Sequence, residues 1–151
     1  SYEQQQLGFN YRMTDFQSAL GISQLRKLDK FVKKRNLLID RYIKLLRNLP
    51  VKLLEKPSDT YSSFHLAVIR LNNTDPEHHK IIFEKMRQNN IGVQLHYQPI
   101  HLNPYYRNLG FKCGDFPNAE FYAQNAFSIP VFPSLSKEEQ NFVVSVLEDC
   151  Y

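Results

Sequence analysis

The amino-acid sequence predicts an α+β domain in which helices pack on a small, mainly antiparallel sheet. Two patterns carry this prediction. Apolar residues recur at steps of three and four between residues 28 and 49, which is typical of a helix that buries one face. Residues 64–71 instead alternate and are rich in β-forming side chains, which indicates a strand. The chain's 151 residues, 42% of them hydrophobic, are enough to build one core without a disulfide or a metal.

The first half of the chain is predicted to be an extended arm followed by two helices. Residues 1–13 show almost no apolar periodicity, so we expect an irregular or extended segment there. Thr14 and Asp15 are suitable N-caps for the first helix. The pattern restarts at Leu28 and continues as a long helix that ends before Pro50. An apolar face of this length needs more partners than one small domain supplies.

The second half is predicted to alternate short strands with helices. After the strand at 64–71, Thr74 or Asp75 is expected to cap a helix that ends near residues 89–90. A second, short strand is expected at residues 91–95. The remaining elements are a shaped loop at 96–106, a helix at 117–125, an apolar run at 126–132 and a last helix opened by a capping box of Ser136 and Glu139.

Positive charge is concentrated in one part of the chain. The formal net charge is +4, and residues 26–47 contain nine basic residues and two acidic ones. A nucleic-acid surface is one interpretation of this excess. The charges fall on one side of an amphipathic helix, however, and no DNA- or RNA-binding motif accompanies them. A solvated helix face is therefore the favoured interpretation, and no nucleic-acid partner is expected.

Cysteine usage and hydropathy indicate a soluble protein of a reducing compartment. Cys113 and Cys150 form neither a CxxC pair nor a Cys/His cluster. The longest apolar runs are only a few residues, so no membrane span is expected. Residues 1–6 have neither the basic start nor the apolar stretch of a signal peptide. These observations predict a cytoplasmic location.

Residues able to do chemistry are concentrated in the segment 96–101. The sequence has no GxGxxG, GxxxxGK[ST], HExxH or GxSxG motif, so spacing alone identifies no enzyme. His96, Tyr97 and His101 place two imidazoles and a phenol on a proline-stiffened loop at a strand end, where binding residues commonly lie. Packing of these rings within the loop is an equally good interpretation. Two histidines without a nearby carboxylate or thiol make at most a partial metal site, so no metal is expected.

The N-terminal arm offers a second candidate site. Asn10 and Arg12 would face the same way on an extended segment, and their amide and guanidinium suit phosphate or carboxylate oxygens. An arm that contacts only water is the alternative. Among the remaining histidines, His65 is expected in the core or at a sheet edge, whereas His78 and His79 are expected to be solvated.

The segment from Leu7 to Gly21, LGFNYRMTDFQSALG, closely resembles the GYNYRMTExQAALG signature of the DegT/DnrJ/EryC1/StrS family of sugar aminotransferases. These enzymes depend on pyridoxal 5'-phosphate (PLP). Phe9 replaces a tyrosine of the signature, and this exchange leaves the Asn and Arg in place. Residues 96–106 and 114–120 resemble most the members that act on the route to pseudaminic acid. Further agreement lies at residues 24–35, 64–66, 92–101 and 128–136.

The resemblance implies a domain organisation and an activity. Residues 14–151 would be the C-terminal small domain of a fold-type I PLP aminotransferase, and residues 1–13 the signature arm. The larger domain that carries the Schiff-base lysine is absent from this chain, so no catalytic residue is expected in it. The implied reaction moves an amino group from L-glutamate to a UDP-linked 4-keto-6-deoxy-hexosamine in a homodimer with shared active sites. A non-catalytic sugar-nucleotide-binding or regulatory relative is the alternative.

The resemblance also implies roles for individual residues. Asn10 is expected to cross the dimer interface and bind the phosphate of the partner's PLP. Tyr11 and Arg12 would lie beside the sugar nucleotide. The loop residues expected to line the sugar-nucleotide pocket are His96, Tyr97, Gln98 and Pro99. For His101, a purely structural hydrogen bond is the competing expectation.

Overall fold

The computed structural model of the chain describes residues 3, 5–9, 11–72 and 76–151. Within these ranges the helices are α1 (Asp15–Leu25), α2 (Leu28–Leu45), α3 (Pro76–Gln88), α4 (Pro104–Asn108), α5 (Pro117–Asn125) and α6 (Lys137–Glu148). The strands are β1 (Val51–Leu53), β2 (Ala67–Leu71), β3 (Gln94–Leu95) and β4 (Ala126–Ile129), and short 3₁₀ turns occupy Leu46–Asn48 and Ile100–Leu102. None of the described helices combines the length and the apolar character needed to span a membrane.

The strands form one antiparallel sheet in the order β1-β2-β4-β3. In the register, Val51 lies opposite Leu71, and Ala67 lies opposite Ile129. Every residue of β4, and all of β2 except Arg70, is buried. Because successive strand residues point to opposite faces, this continuous burial means that both faces of the central strands are covered.

Helix α2 contributes the centre of the core. Tyr42 is fully buried, and its hydroxyl donates a hydrogen bond to the carbonyl oxygen of Pro130 at 3.0 Å. Burial raises the pKa of Tyr42 far above its usual range, so the phenol stays protonated. From α6, the buried amide of Gln140 donates to the carbonyl oxygen of Leu38 at 3.1 Å. These two bonds fix α2 against both the sheet and α6.

Arg35 ties α2 to two further segments. Its Nη1 donates to the carbonyl oxygens of Phe64 and His65, both at 3.0 Å, and to that of Val131 at 2.7 Å. A charged donor shared by three carbonyls is a strong restraint on backbone position. The guanidinium therefore holds the entrance to β2 and the exit from β4 against the same helix.

Helix α1 is specified by local signals alone. The Thr14 hydroxyl accepts from the Gln17 amide at 3.3 Å, while the Gln17 side chain accepts from the Thr14 amide at 2.9 Å. This capping box satisfies two backbone donors that a helix start leaves unpaired. None of the residues of α1 is buried, however. Its apolar side chains, including Phe16 at 84% exposure, contact little of the described structure.

The structure confirms the predicted fold class and most elements. Thr14 caps α1, the capping box of Ser136 and Glu139 opens α6, and α5 has its predicted bounds. The strand predicted at 64–71 begins only at Ala67, where pairing with β4 starts, and Phe64 itself has a positive φ of 44°, outside the β region. Likewise, only the last two residues of the strand predicted at 91–95 pair in the sheet.

Three further differences concern short or isolated features. Strand β1 was not predicted, since three residues are too few to show alternation. The segment 96–106, predicted as a loop, contains a 3₁₀ turn and the start of α4. The prediction that His79 is solvated is wrong, because its ring packs 5.6 Å from that of Phe127 and the residue is only 7% exposed. His65 is exposed just before β2, and the cap predicted at Thr74 or Asp75 lies outside the described residues.

Candidate functional site

The segment that follows β3 forms one wall of a cavity of about 640 Å³. We call this cavity the aromatic groove. Its volume is within the range of small-molecule sites. The lining residues are His96, Tyr97, Gln98, Pro99, Ile100, His101, Tyr106, Phe111, Phe116, Ala119 and Tyr122. The structure therefore brings together all four loop residues that the sequence singled out for the sugar-nucleotide pocket.

The groove wall is placed by the sheet and shaped by proline. Pairing of β3 with β4 sets Leu95 opposite Phe127, so the chain leaves the sheet edge directly at His96. Pro99 then precedes the 3₁₀ turn, and Leu102 N–H donates to the Pro99 carbonyl at 2.9 Å. The side-chain amide of Gln98 donates from Nε2 to the Leu102 carbonyl at 3.2 Å. Local hydrogen bonds thus hold the loop in one conformation, as binding residues require.

His96 is the polar residue of the groove with an unmet hydrogen-bonding group. It is 7% exposed, and its Nε2 has no partner among the described residues. Burial lowers the pKa of His96, so the neutral imidazole is favoured at physiological pH. Its ring packs edge-on against Tyr97, with centroids 5.1 Å apart, whereas Tyr97 itself is 67% exposed. A neutral imidazole with a free buried nitrogen can donate to or accept from a ligand hydroxyl, depending on its tautomer.

The floor of the groove rests on a buried carboxylate, that of Glu120 in α5. Its Oε1 lies 2.8 Å from His101 Nε2 and accepts from Gly114 N–H at 2.8 Å. Its Oε2 accepts from Cys113 Sγ at 3.1 Å. The bonds from Cys113, His101 and Gly114, in that order of importance, lower the pKa of Glu120 to about 2. The carboxylate is therefore ionised at neutral pH and joins the 99–102 and 113–116 segments.

His101 therefore has a structural hydrogen bond, to Glu120, which is the competing expectation given for this residue. It is 7% exposed, and its ring lies 4.8 Å from that of Phe116. Rings of Tyr106, Phe111 and Phe116 continue this contact along the far wall. These aromatic residues and Glu120 were not selected from the sequence. Tyr106 lies in the resemblance noted at residues 96–106, and Phe116 and Glu120 lie in that noted at 114–120, whereas Phe111 lies in neither.

The arm residues are not part of the aromatic groove. Tyr11 is 89% exposed, with its ring 5.5 Å from that of Phe9, and Arg12 is exposed as well. None of the described arm residues lines the groove. Asn10, the expected cofactor ligand, lies outside the described residues. The roles expected for these three residues remain predictions.

The side chains around the groove decide which metals or cofactors it could hold. No set of three histidine, cysteine, aspartate or glutamate side chains suitable for a metal occurs in the part of the chain that the structure describes. No lysine lines the groove. A cofactor bound covalently through a lysine therefore does not fit the groove by itself, and what the groove offers is non-covalent binding.

The arrangement of helices on a small antiparallel sheet matches the C-terminal part of aminotransferases of known structure. The chain belongs to the DegT/DnrJ/EryC1/StrS aminotransferase family, whose model matches residues 1–148. It is 31% identical over 152 residues to the spore coat polysaccharide biosynthesis protein SpsC of Bacillus subtilis, covering 98% of this chain and 39% of SpsC.

Two solved sugar aminotransferases show the structural likeness. Helicobacter pylori PseC, an aminotransferase involved in the biosynthesis of pseudoaminic acid, matches 99% of this chain and 40% of its own, with 27% identity and a TM-score of 0.88. The PLP form of the putative sugar aminotransferase Spr1654 from Streptococcus pneumoniae matches 92% of this chain and 37% of its own, with 28% identity and a TM-score of 0.84. The chain thus spans about two fifths of the length of these relatives.

Proposed function

We propose that this chain is the C-terminal small domain, with its signature arm, of a PLP-dependent nucleotide-sugar aminotransferase, and that the aromatic groove binds the sugar nucleotide. The amino group would pass from L-glutamate to the keto carbon of a UDP-linked 4-keto-6-deoxy-hexosamine. The observation that carries this proposal is His96, which lines the aromatic-walled groove and whose buried Nε2 has no hydrogen-bond partner among the described residues. Membership of the aminotransferase family supports the reaction type.

The groove suits a sugar nucleotide because it combines flat apolar surfaces with a few polar groups. Exposed Tyr97 presents a ring face on which a sugar or a base can stack. The neutral His96 ring can orient a hydroxyl without adding charge. Glu120 acts behind the lining residues, since its bond to His101 fixes the wall that the ligand contacts. The likeness to PseC supports a substrate on the route to pseudaminic acid.

The remaining active-site groups would come from outside the groove. In this proposal the rest of the protein holds PLP on its Schiff-base lysine, Asn10 binds the PLP phosphate of the partner subunit, and Arg12 with Tyr11 contacts the sugar nucleotide. A homodimer is supported by the exposed apolar residues of α1, which need a partner surface. The free thiols of Cys113 and Cys150 suit a cytoplasmic protein.

Binding to the groove can be tested on this chain. A UDP-linked N-acetylhexosamine is titrated against the chain and amide NMR shifts are followed. We expect His96→Ala to raise the dissociation constant roughly fivefold, because a net hydrogen bond is worth about 1 kcal/mol. His65→Ala, at an exposed histidine outside the groove, is the matched control and should change nothing.

Tyr97→Ala provides an independent check, because this exposed side chain can be removed without disturbing the core. It should also weaken binding, by loss of stacking. Shifts that cluster away from residues 96–122, or equal effects of the His96 and His65 variants, would show that the groove is not the site.

The transfer reaction is tested in the full-length protein. Mixing an Asn10→Ala subunit with a subunit lacking the Schiff-base lysine should restore activity, since one site of the mixed dimer then has both groups intact. Mixed dimers no more active than the parental ones would show that Asn10 does not act across the interface. Sugar-nucleotide binding without any amino transfer by the unmutated full-length protein would favour the regulatory alternative.

A further inference from the structure

A second cavity, of about 540 Å³, lies between the start of α2 and the segment that leaves the sheet after β4. We call it the basic cavity. It shares no lining residue with the aromatic groove, so it lies outside the site proposed above. The residues that line it are Lys27, Lys30, Phe31, Lys34, Arg35, Pro133 and Ser134. Four of its lining residues, Lys27, Lys30, Lys34 and Arg35, belong to the basic stretch 26–47 that was expected to be a solvated helix face.

The walls of the basic cavity are fixed rather than loose. Arg35 Nη1 holds the Val131 carbonyl at 2.7 Å, which anchors the chain two residues before Pro133. Immediately beyond, the Leu135 amide donates to the Phe132 carbonyl at 3.0 Å and closes a turn around Pro133 and Ser134. One wall is therefore a helix and the other a hydrogen-bonded turn. A ligand would meet a preformed surface.

The positive charge in this cavity is not neutralised by the described part of the protein. Lys27, Lys30 and Lys34 are spaced at three and four residues, so their side chains share one helix face. None of them forms an ion pair with a described residue. Like charges at this spacing oppose helix stability. An anion bound among them would relieve that repulsion.

Arg35 adds unused donors to the same cavity. Its three carbonyl contacts all use Nη1, and none of the described residues accepts from Nη2 or Nε. A guanidinium has five N–H donors in a fixed plane, which suits the oxygens of phosphate groups. Half-buried Arg35 thus supplies a positioned donor beside the ammonium groups of three exposed lysines.

We propose that the basic cavity binds the diphosphate group of a small phosphorylated ligand. A diphosphate is favoured over a single phosphate because Lys27 and Lys34 are about 10 Å apart along the helix axis, at 1.5 Å per residue. A small ligand is favoured over nucleic acid because the positive residues line a cavity of about 540 Å³ that also has Phe31 and Pro133 in its lining. Those two rings would contact the organic part of an esterified diphosphate.

The test uses inorganic pyrophosphate, titrated against the whole chain by calorimetry at constant ionic strength. We expect the double variant Lys30→Gln/Lys34→Gln to raise the dissociation constant at least tenfold. The matched control is Lys44→Gln/Lys137→Gln, which removes the same charge from exposed lysines outside the cavity. It should change the dissociation constant less than twofold.

Further measurements identify the source of the diphosphate and test nucleic acid as the competing partner. If the natural ligand is a nucleoside diphosphate, ADP should bind more tightly than pyrophosphate, and Phe31→Ala should remove that advantage. If it is free diphosphate, Phe31→Ala should affect neither ligand. Three results would each overturn the proposal. The first is no binding of pyrophosphate, and the second is equal weakening of its binding by the two double variants. The third is tighter binding of a short DNA duplex than of pyrophosphate, with equal sensitivity to both double variants. The His96 variants of the groove should leave pyrophosphate binding unchanged, so this test and that of the aromatic groove can fail independently.

Discussion

Helices α1 and α2 follow each other directly in the chain, yet they depend on different parts of the molecule. In α2, Ile39 and Tyr42 are buried, and the adjoining Leu46 is buried with them in the core. In α1 no residue is buried, and Phe16 is 84% exposed. The better N-terminal cap nevertheless belongs to α1, because α2 has no side-chain capping bond at all.

This contrast separates two sources of helix stability. A capping box satisfies backbone donors and specifies where a helix begins, whatever lies around it. Most of the free energy that keeps a helix folded comes instead from the burial of its apolar face. Helix α2 has that burial within this chain. Helix α1 has an apolar surface that the described residues do not cover, which is the surface expected of an interface.

The largest expected difference between the two regions comes from removing one phenylalanine in each. Phe127→Ala should lower the free energy of unfolding by about 3–5 kcal/mol, because this fully buried ring in β4 would leave a cavity. Phe16→Ala should change it by less than about 0.5 kcal/mol. Urea denaturation followed by circular dichroism measures both changes.

Should Phe127→Ala fail to fold, Phe127→Leu provides a smaller perturbation of about 1 kcal/mol at the same position. Similar losses for Phe16→Ala and Phe127→Leu would mean that α1 packs on the core in solution, and the contrast between the two regions would disappear.

An intermediate effect is expected from the two capping boxes, which are matched in chemistry and differ in what their helices contact. Ser136→Ala should lower the global free energy of unfolding by about 1 kcal/mol, because α6 is part of the core. Thr14→Ala should leave global stability unchanged and reduce only the helicity of α1. Denaturation curves report the first effect, and Cα chemical shifts of residues 15–18 report the second. A global loss caused by Thr14→Ala would contradict this separation.

The smallest expected effect is a pH dependence of the free energy of unfolding, caused by buried His79 in the core and absent from α1. Burial lowers the pKa of His79 below its usual 6.5, so the unfolded chain binds a proton at a higher pH than the folded one. Stability is therefore complete above pH 6.5 and falls as the pH decreases below that value. His79→Gln should reduce this decline, whereas His65→Gln, at an exposed site, should not.

Unfolding free energies at closely spaced pH values from 8 down to 5.5 would check this sign, with the range chosen around the usual histidine pKa of about 6.5. Residues 3–25 contain no histidine, so the α1 signals should stay constant over the same interval. A stability that rises on acidification in this range would show that His79 gains a partner when protonated.

The two walls of the aromatic groove differ in the same way, since only one of them could be recognised from neighbouring residues. The loop at 96–101 could be found from sequence because proline, histidine and tyrosine are concentrated there. The opposite wall could not, because Phe111, Phe116 and Tyr122 are spread along the chain and look like ordinary apolar residues. Glu120 lies in the stretch 114–120 that carried part of the resemblance, but its position in the sequence gave it no role. Its significance comes from contacts with His101 and with Gly114, which only folding brings together.

The sequence by itself determined what depends on neighbouring residues. The capping boxes at Thr14 and Ser136 and the bounds of α5 follow from contacts within a few turns of chain. The apolar stripe of α2 is a periodicity of neighbouring residues, and the family signature at residues 7–21 is equally local. Such patterns can be recognised directly, even where burial in the tertiary structure supplies the stability, as it does for α2.

Only the tertiary structure decided how distant segments meet. The order β1-β2-β4-β3, the shortened start of β2 and the burial of His79 depend on pairing and packing between residues far apart in sequence. The convergence of Lys27, Lys30 and Lys34 with the Pro133 turn is of the same kind. The physical reason is that burial and electrostatics act through space, whereas the periodicities of a sequence record only which face each residue presents.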